Sequence, residues 1–292
     1  MSVWFVPRDA AARSMGADAV AAALEARGET VVRNGSRGML WMEPLVERAD
    51  ERHGPRVGWR NMTADAVDVA LPDEQSEQYL GAVEEIDYLA RQNRWIYERV
   101  GITDPVDPED YVAHGGLTGL KNALAMSGSD VVQAVTDSGL RGRGGAGFPA
   151  GIKWRTVADQ APQPHVGESQ SAPKHKYICV NADEGDSGTF ADRMLMEGDP
   201  FCLLEGMTIA AHAVGADRGF VYLRSEYPDA IATLQAAIWI AREQGWLGHN
   251  ILDSDLCFDV EIRVGAGSYV CGEETAMLES LEGRRGMVRA KP

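Results

Sequence analysis

Tyr177-Ile-Cys-Val-Asn-Ala-Asp-Glu-Gly-Asp-Ser-Gly188 decides how this chain is read: an apolar run enters a turn that holds three carboxylates, Asp183, Glu184 and Asp186. A short apolar run closed by turn residues predicts a strand, here Tyr177 to Val180. The pattern then repeats. Helical spacing over Met194 to Val214, an apolar run Gly219 to Leu223, helical spacing over Asp229 to Glu243, a run Phe258 to Val264 and a helix Glu273 to Leu281 follow in order. Strands alternating with helices predict an α/β fold with a parallel sheet. Ligands of such sheets bind beyond the carboxyl ends of the strands, which here are Asn181 to Ser187, Arg224 to Tyr227 and Gly265 to Cys271. The first and third have a second reading. The first end is equally a solvated acidic turn, and Glu273 and Glu274 equally serve the dipole at a helix start.

Upstream lies Ser138-Gly-Leu-Arg-Gly-Arg-Gly-Gly-Ala-Gly-Phe-Pro-Ala-Gly-Ile-Lys-Trp154, with glycines at 142, 144, 145, 147 and 151 among Arg141, Arg143 and Lys153. Glycines let several amides converge on one anion, and the cations add charge, so the stretch reads as a phosphate cradle as well as a flexible loop. Gly142, Gly144 and Gly147 match G-x-G-x-x-G in form only. That motif works between a strand and a helix, whereas Val131, Val132, Val135 and Leu140 space out as a helix leading in. It is no Walker A loop either, because Trp154 follows Lys153 where Ser or Thr is needed.

Composition narrows the class. The 292 residues suffice for one large or two modest domains, and the net charge of −16 repels nucleic acid and anionic membranes on average. The N-terminus lacks a basic region followed by an apolar one, and no apolar run approaches membrane-spanning length, so no membrane insertion and a cytoplasmic location are expected. Cys179, Cys202, Cys257 and Cys271 form no C-x-x-C pair, so no metal ligands are assigned.

Residues 1–72 read as a small α/β domain: strand Val3 to Val6, helix Met15 to Arg27 ending at Gly28, then short strands Thr30 to Arg33, Met39 to Met42 and Arg56 to Trp59. Residues 73–110 read as an acidic linker with one helix, on Tyr79, Val83, Ile86, Leu89 and Ala90. The Pro-, Gln- and Ser-rich stretch 160–174 reads as a surface insertion.

The motifs Arg-Gly-Arg-Gly-Gly-Ala-Gly-Phe-Pro-Ala-Gly-Ile-Lys-Trp, Asn-Ala-Asp-Glu, Gly-Ala-Gly-Ser-Tyr-Val-Cys-Gly-Glu-Glu-Thr-Ala and Leu-Glu-Gly-Arg-Arg-Gly, in this order, resemble the FMN- and NADH-binding flavoprotein subunit of respiratory complex I and its relatives. The resemblance covers Tyr111 to Pro292. Those relatives include the diaphorase of NAD-reducing hydrogenase and the β subunit of soluble NAD-dependent formate dehydrogenase. With Asn-Ala-Asp-Glu-Gly-Asp-Ser-Gly-Thr-Phe-Ala-Asp-Arg and a front domain on the same chain, the sequence looks most like the last. The resemblance implies FMN and NAD as cofactors, and 111–292 as their α/β domain, incomplete at its C-terminus. It implies that Gly142, Arg143, Gly144, Lys153, Asn181, Asp183 and Glu184 hold FMN, with Tyr269, Glu273 and Glu274 on the flavin and nicotinamide side. Phe148 and Asp186 fall to the adenosine side of NAD. Asp186 departs from the Glu usual in complex I relatives.

No catalytic side chain is implied, since the flavin converts hydride, two electrons at once, into the single electrons of iron–sulfur clusters. A [4Fe–4S] cluster is expected only in a C-terminal part beyond Pro292, so the sequence reads as a fragment. The front domain resembles a thioredoxin-like ferredoxin domain without its cluster, since no cysteine precedes Cys179 and ligands would begin at Asn34 to Gly38. The implied partners are an iron–sulfur subunit of thioredoxin-like type and a molybdenum-containing catalytic subunit with iron–sulfur clusters. A hydrogenase diaphorase, a complex I subunit and a non-redox nucleotide-binding scaffold are the other readings.

Overall fold

The computed structural model describes residues 2–161 and 175–290, so the expected insertion lies, but for its first two residues, outside the described residues. In chain order the elements are β1 (Val3–Phe5), α1 (Ala10–Ser14), α2 (Ala17–Ala26), β2 (Thr30–Val32), β3 (Val46–Ala49), β4 (Val57–Trp59), α3 (Ala64–Val69), β5 (Tyr79–Ala82), α4 (Asp87–Ala90) and α5 (Pro108–Ala113). There follow α6 (Thr118–Leu124), α7 (Gly128–Asp137), α8 (Ala150–Ala158), β6 (Tyr177–Ala182), α9 (Ala191–Gly198), α10 (Pro200–Val214), β7 (Arg218–Arg224), α11 (Pro228–Glu243), β8 (Asp259–Gly265) and α12 (Glu274–Leu281). Two compact units result: one holds Met1–His114, Phe190–Pro200 and Ala232–Leu234, the other Gly115–Thr189, Phe201–Ile231 and Gln235–Pro292.

The first unit carries a five-stranded sheet in the order β2-β1-β3-β4-β5. β1 runs parallel to β2 with Val3 opposite Thr30, and antiparallel to β3 with Val3 opposite Ala49. A β-α-β unit joined to an antiparallel pair and a helix is the thioredoxin-like layout. Trp4 and Trp59 anchor its core, their rings 5.5 Å apart and both nearly inaccessible, among Val6, Val20, Leu24 and Val67. Helix α2 stops where Gly28 takes φ +83°, which costs glycine nothing.

Two stretches differ from the expectation. Met39 to Met42 is no strand: Leu40–Met42 is a 3₁₀ turn, and the strand is Val46–Ala49. A four-residue apolar run does not separate strand from buried turn by period, and the real strand hides its alternation because fully buried Glu47 sits in it, paired with Arg37. Tyr79–Ala82 is an edge strand paired with β4 instead of the start of a helix. Gly81 at φ +76° breaks any helix there, and the helical spacing from Val83 onward belongs to a 3₁₀ turn and the single turn α4.

Asn34 to Gly38, where cluster ligands would begin, holds a buried ionic knot. Arg37 donates from Nε and Nη2 to the two Glu47 oxygens at 2.9 and 3.0 Å and from Nη1 to Glu84 at 2.7 Å, while Arg56 Nη1 reaches Glu47 Oε2 at 3.2 Å. The bidentate pairing offsets the desolvation of charges that are 2 % and 0 % exposed.

The second unit is built on a parallel sheet of order β6-β7-β8, with Tyr177 opposite Arg218 and Arg218 opposite Asp259. On the central strand Val221 and Leu223 are fully buried on one face and Tyr222 is buried on the other, as a strand covered on both faces requires. The helix expected over Met194 to Val214 is two helices, α9 and α10, parted at Asp199. Pro200 starts the second, since it lacks the N–H that a continuous helix would need there.

Candidate functional site

Helix α7, not a strand, leads into the glycine loop, so the loop departs from the dinucleotide-binding turn as the spacing predicts. The loop closes on itself. Gly142 N donates to Phe148 O at 2.8 Å, Gly147 N to Gly144 O at 3.1 Å and Ala150 N to Leu140 O at 2.9 Å, and the Arg141 guanidinium holds Gly147 O at 2.6 Å. Arg141 is thus spent on the frame. Arg143 and Lys153, both exposed, make no ion pair among the described residues. A Cβ added at Gly144 or Gly145 would meet nothing within 4 Å, so the backbone there presents an open face. Gly151 has another role: its Cβ would stand 2.6 Å from Thr136 Cα, so it lets α8 lie against α7. Phe148 is 48 % exposed.

The carboxyl ends of β6 and β7 bring a second group together. Asn181 Nδ2 donates to Cys271 O at 3.2 Å and Gly272 O at 3.0 Å, and its Oδ1 accepts from Asp183 N at 3.1 Å. Asn181 therefore ties the end of β6 to the 3₁₀ turn Tyr269–Gly272. Asp183 Oδ2 is buried and accepts no hydrogen bond among the described residues. Burial pushes its carboxyl up, against the pull of the Arg224 charge. Glu184, 9 % exposed, accepts from Tyr227 Oη at 3.2 Å, and its carbonyl takes a hydrogen bond from Arg224 Nη1. Arg224 also donates to Glu226 at 3.0 Å, which holds the Glu226 carboxyl below its usual range, while its Nε stays buried without an acceptor among the described residues.

Asp186 and Tyr269, assigned to opposite sides of the bound nucleotides, meet directly: Tyr269 Oη donates to Asp186 Oδ1 at 2.7 Å, and this raises the phenol pKa. The Tyr269 ring covers Gly185, where a Cβ would come within 2.6 Å of it, and the ring remains 70 % exposed. Glu273 caps α12, accepting from Thr275 N at 2.8 Å and Ala276 N at 3.0 Å. Glu274 in the first turn is exposed. Cys179, on β6, has its thiol pushed up to about 11 by burial and is no thiolate at neutral pH.

Sequence reasoning reached the strand end Arg224 to Tyr227 but assigned it no residue. Arg224, Glu226 and Tyr227 are members of this group by contact, and the signal was their place just past a central parallel strand.

The second unit is thus a parallel-sheet α/β unit with carboxylates and a cation at its strand ends, and it carries a glycine loop whose Arg143 and Lys153 make no ion pair among the described residues. Residues 135–292 match the model of the Nuo51 FMN-binding domain, and the chain belongs to that family. It is 48 % identical over 203 residues to the NADP-reducing hydrogenase subunit HndC of Solidesulfovibrio fructosivorans, covering 69 % of this chain and 39 % of that protein. It is 50 % identical over 183 residues to an NADH-quinone oxidoreductase subunit of Rhizobium meliloti, 62 % of this chain and 41 % of that one. The crystal structure of NAD⁺-reducing [NiFe]-hydrogenase in the H₂-reduced state is similar over the whole chain and 47 % of its own, with a TM-score of 0.51 and 28 % identity. The chain thus spans about two fifths of the length of these curated relatives.

FMN and NAD are the cofactors that the family and the NADH-quinone oxidoreductase relatives support. The residues fit FMN. Asp183 Oδ2 and Arg224 Nε are buried polar atoms without a protein partner among the described residues, and the Gly144–Gly145 face is open beside two unpaired cations. No helix among the described residues is long and apolar enough to cross a membrane.

Proposed function

We propose that this chain is the flavin-bearing part of the NAD-reducing subunit of a multisubunit formate dehydrogenase, working with an iron–sulfur subunit and a molybdenum-containing catalytic subunit. The observation that carries the flavin half is that Asp183 Oδ2 and Arg224 Nε, both at strand ends, are buried and have no partner among the described residues. The string Asn181 to Arg193 and the thioredoxin-like front unit support the formate member. When bound, FMN supplies the conversion between hydride and single-electron transfer.

The chain's own residues do the positioning. Arg143 and Lys153 neutralise phosphate charge, and the Gly144–Gly145 backbone lets that phosphate approach. Asp183 accepts from the ring's N–H edge. Arg224, held by Glu184 and Glu226, fixes the local charge. Asn181 and Glu273 act one step back, Asn181 by tying β6 to the 3₁₀ turn and Glu273 by starting α12. Tyr269 and Asp186, linked to each other, face the nicotinamide nucleotide, and Phe148 stacks on its adenine.

A hydrogenase diaphorase is the second reading, favoured by the hydrogenase subunit and the hydrogenase structure among the similar proteins. Reduction of NAD⁺ by the purified complex with formate and with hydrogen separates the two; formate-driven reduction is expected, and activity with hydrogen alone overturns the formate assignment. A complex that never turns yellow with FMN and shows no anaerobic bleaching with NADH would make the chain a scaffold instead.

A further inference from the structure

The first unit holds three metal-ligating side chains that the flavin reading does not use. Asp110 and His114 stand one helical turn apart, on α5 and at its C-cap, and His53 comes from the turn after β3. One ligand atom from each lies within 4.8 Å of the others. Asp110 Oδ1 is 3.8 Å from His53 Nδ1 and 3.2 Å from His114 Nδ1, and the two rings are 5.0 Å apart. Tetrahedral coordination with bonds of about 2.0 Å separates neighbouring ligand atoms by roughly 3.3 Å. The cluster is close to that size.

Asp110 is 4 % exposed, and its Oδ1, the atom both imidazoles face, accepts no hydrogen bond among the described residues. Buried carboxylate oxygens are normally satisfied, and the contacts of this carboxylate fall on the other oxygen, Oδ2, which takes Asp104 N at 2.9 Å and the Arg52 guanidinium at 3.4 Å. Arg52 is shared between Asp110 Oδ2 and Asp107, which it meets at 2.5 Å, so Oδ1 is the Asp110 oxygen open to a cation. His53 is half exposed and gives the ion a route in.

We propose that His53, Asp110 and His114 form a site for a divalent transition metal of the zinc class, clipping the turn after β3 to α5. Three protein donors leave a fourth position for water. His114 Nδ1 lies 2.9 Å from Asp110 O; coordination at Nδ1 gives up this contact, and the proton of the neutral ring then sits on Nε2, with no net release. The proposal does not rest on the flavin reading.

Isothermal titration of the 292-residue chain with Zn²⁺ in competition with a chelator tests it. One tight equivalent is expected in the wild type, weakened at least tenfold by His53→Ala, whose side chain is too exposed to threaten folding. Asp110→Asn should remove it. Cys257→Ser removes the exposed pair formed by His249 and Cys257, 3.4 Å apart, and should leave the equivalent in place. A zinc affinity unchanged by His53→Ala, or lost with Cys257→Ser, overturns the site, as does the absence of any tight equivalent in the wild type.

Discussion

Lys153 bears on folding and on flavin binding to very different degrees. It is exposed and makes no ion pair among the described residues, so replacing it alters folding by a few tenths of a kcal/mol, about ±0.5 at most. Beside a phosphate the same replacement exchanges a charge-assisted contact for repulsion. Lys153→Glu in the full-length protein is expected to lose FMN with an unchanged melting temperature, and stoichiometric flavin in the purified variant would make Lys153 a surface cation. Asp186 is argued the same way. A carboxylate near the adenosine ribose disfavours a 2′-phosphate, so Asp186→Asn should improve NADPH relative to NADH about tenfold, the effect of about 1.4 kcal/mol. An unchanged ratio of the two rates would leave Asp186 only its bond to Tyr269. At this scale the sequence revealed residue types but not their uses. Glu273 at a helix start reads equally as cap and as ligand, and only the bonds to Thr275 N and Ala276 N show it capping. Asp110 and His114 stood at a readable i, i+4 spacing, whereas His53 lies too far along the chain for spacing to connect it.

Among the elements, the glycine loop and the helices beside it separate two uses of glycine. At Gly151 a Cβ would stand 2.6 Å from Thr136 Cα and 2.3 Å from its Oγ1, so Gly151→Ala must push α7 and α8 apart. Overpacking of this kind costs about 1–3 kcal/mol. Gly144 has open space and no left-handed φ, so Gly144→Ala should leave the apo-chain's stability unchanged and weaken FMN, because the added methyl occupies the face the phosphate needs. Urea midpoints and flavin affinity measured on both variants check the division; equal destabilisation by the two would refute it. The alternating elements after Tyr177 were legible because β6 and β7 are apolar runs, β8 alternates Val260, Ile262 and Val264 with charged residues, and the helices between keep a 3.6-residue period. Val46–Ala49 was not, because its buried Glu47 disguises an inward position as a polar one. The order β6-β7-β8 agrees with chain order, the simplest outcome of right-handed crossovers, yet no local pattern encoded the fifth strand β5 on the front sheet.

The molecule as a whole carries a net charge of −16, and its acidity extends into the core of the first unit, which sets how that unit responds to pH. Glu43 is 1 % exposed; Ser36 Oγ donates to its Oε1 at 2.6 Å and Leu45 N to its Oε2 at 2.9 Å. Burial, with the Asp9 charge second, pushes its carboxyl up to about 7 from 4.5. The folded state therefore holds this proton more tightly than the unfolded chain. Its contribution to stability is complete below the unfolded value and is lost as pH rises through about 7, a change of at most about 3 kcal/mol. Buried Asp9 and half-buried Asp104 are raised by the same cause and act with the same sign. Glu47 acts oppositely, because Arg37 and Arg56 hold its carboxyl below the usual range despite complete burial, and its contribution is lost only as pH falls. The first unit should accordingly weaken between about pH 5 and pH 8, and Glu43→Gln should remove much of that decline and stabilise the unit at pH 8. Hydrogen-exchange protection factors for the amides of β1, β3 and β4 report on this unit alone and remove the intrinsic pH dependence of exchange. Protection that stays level from pH 5 to 8 in the wild type, or a variant that declines as steeply, would show that Glu43 ionises at its ordinary value and that its burial is relieved by water.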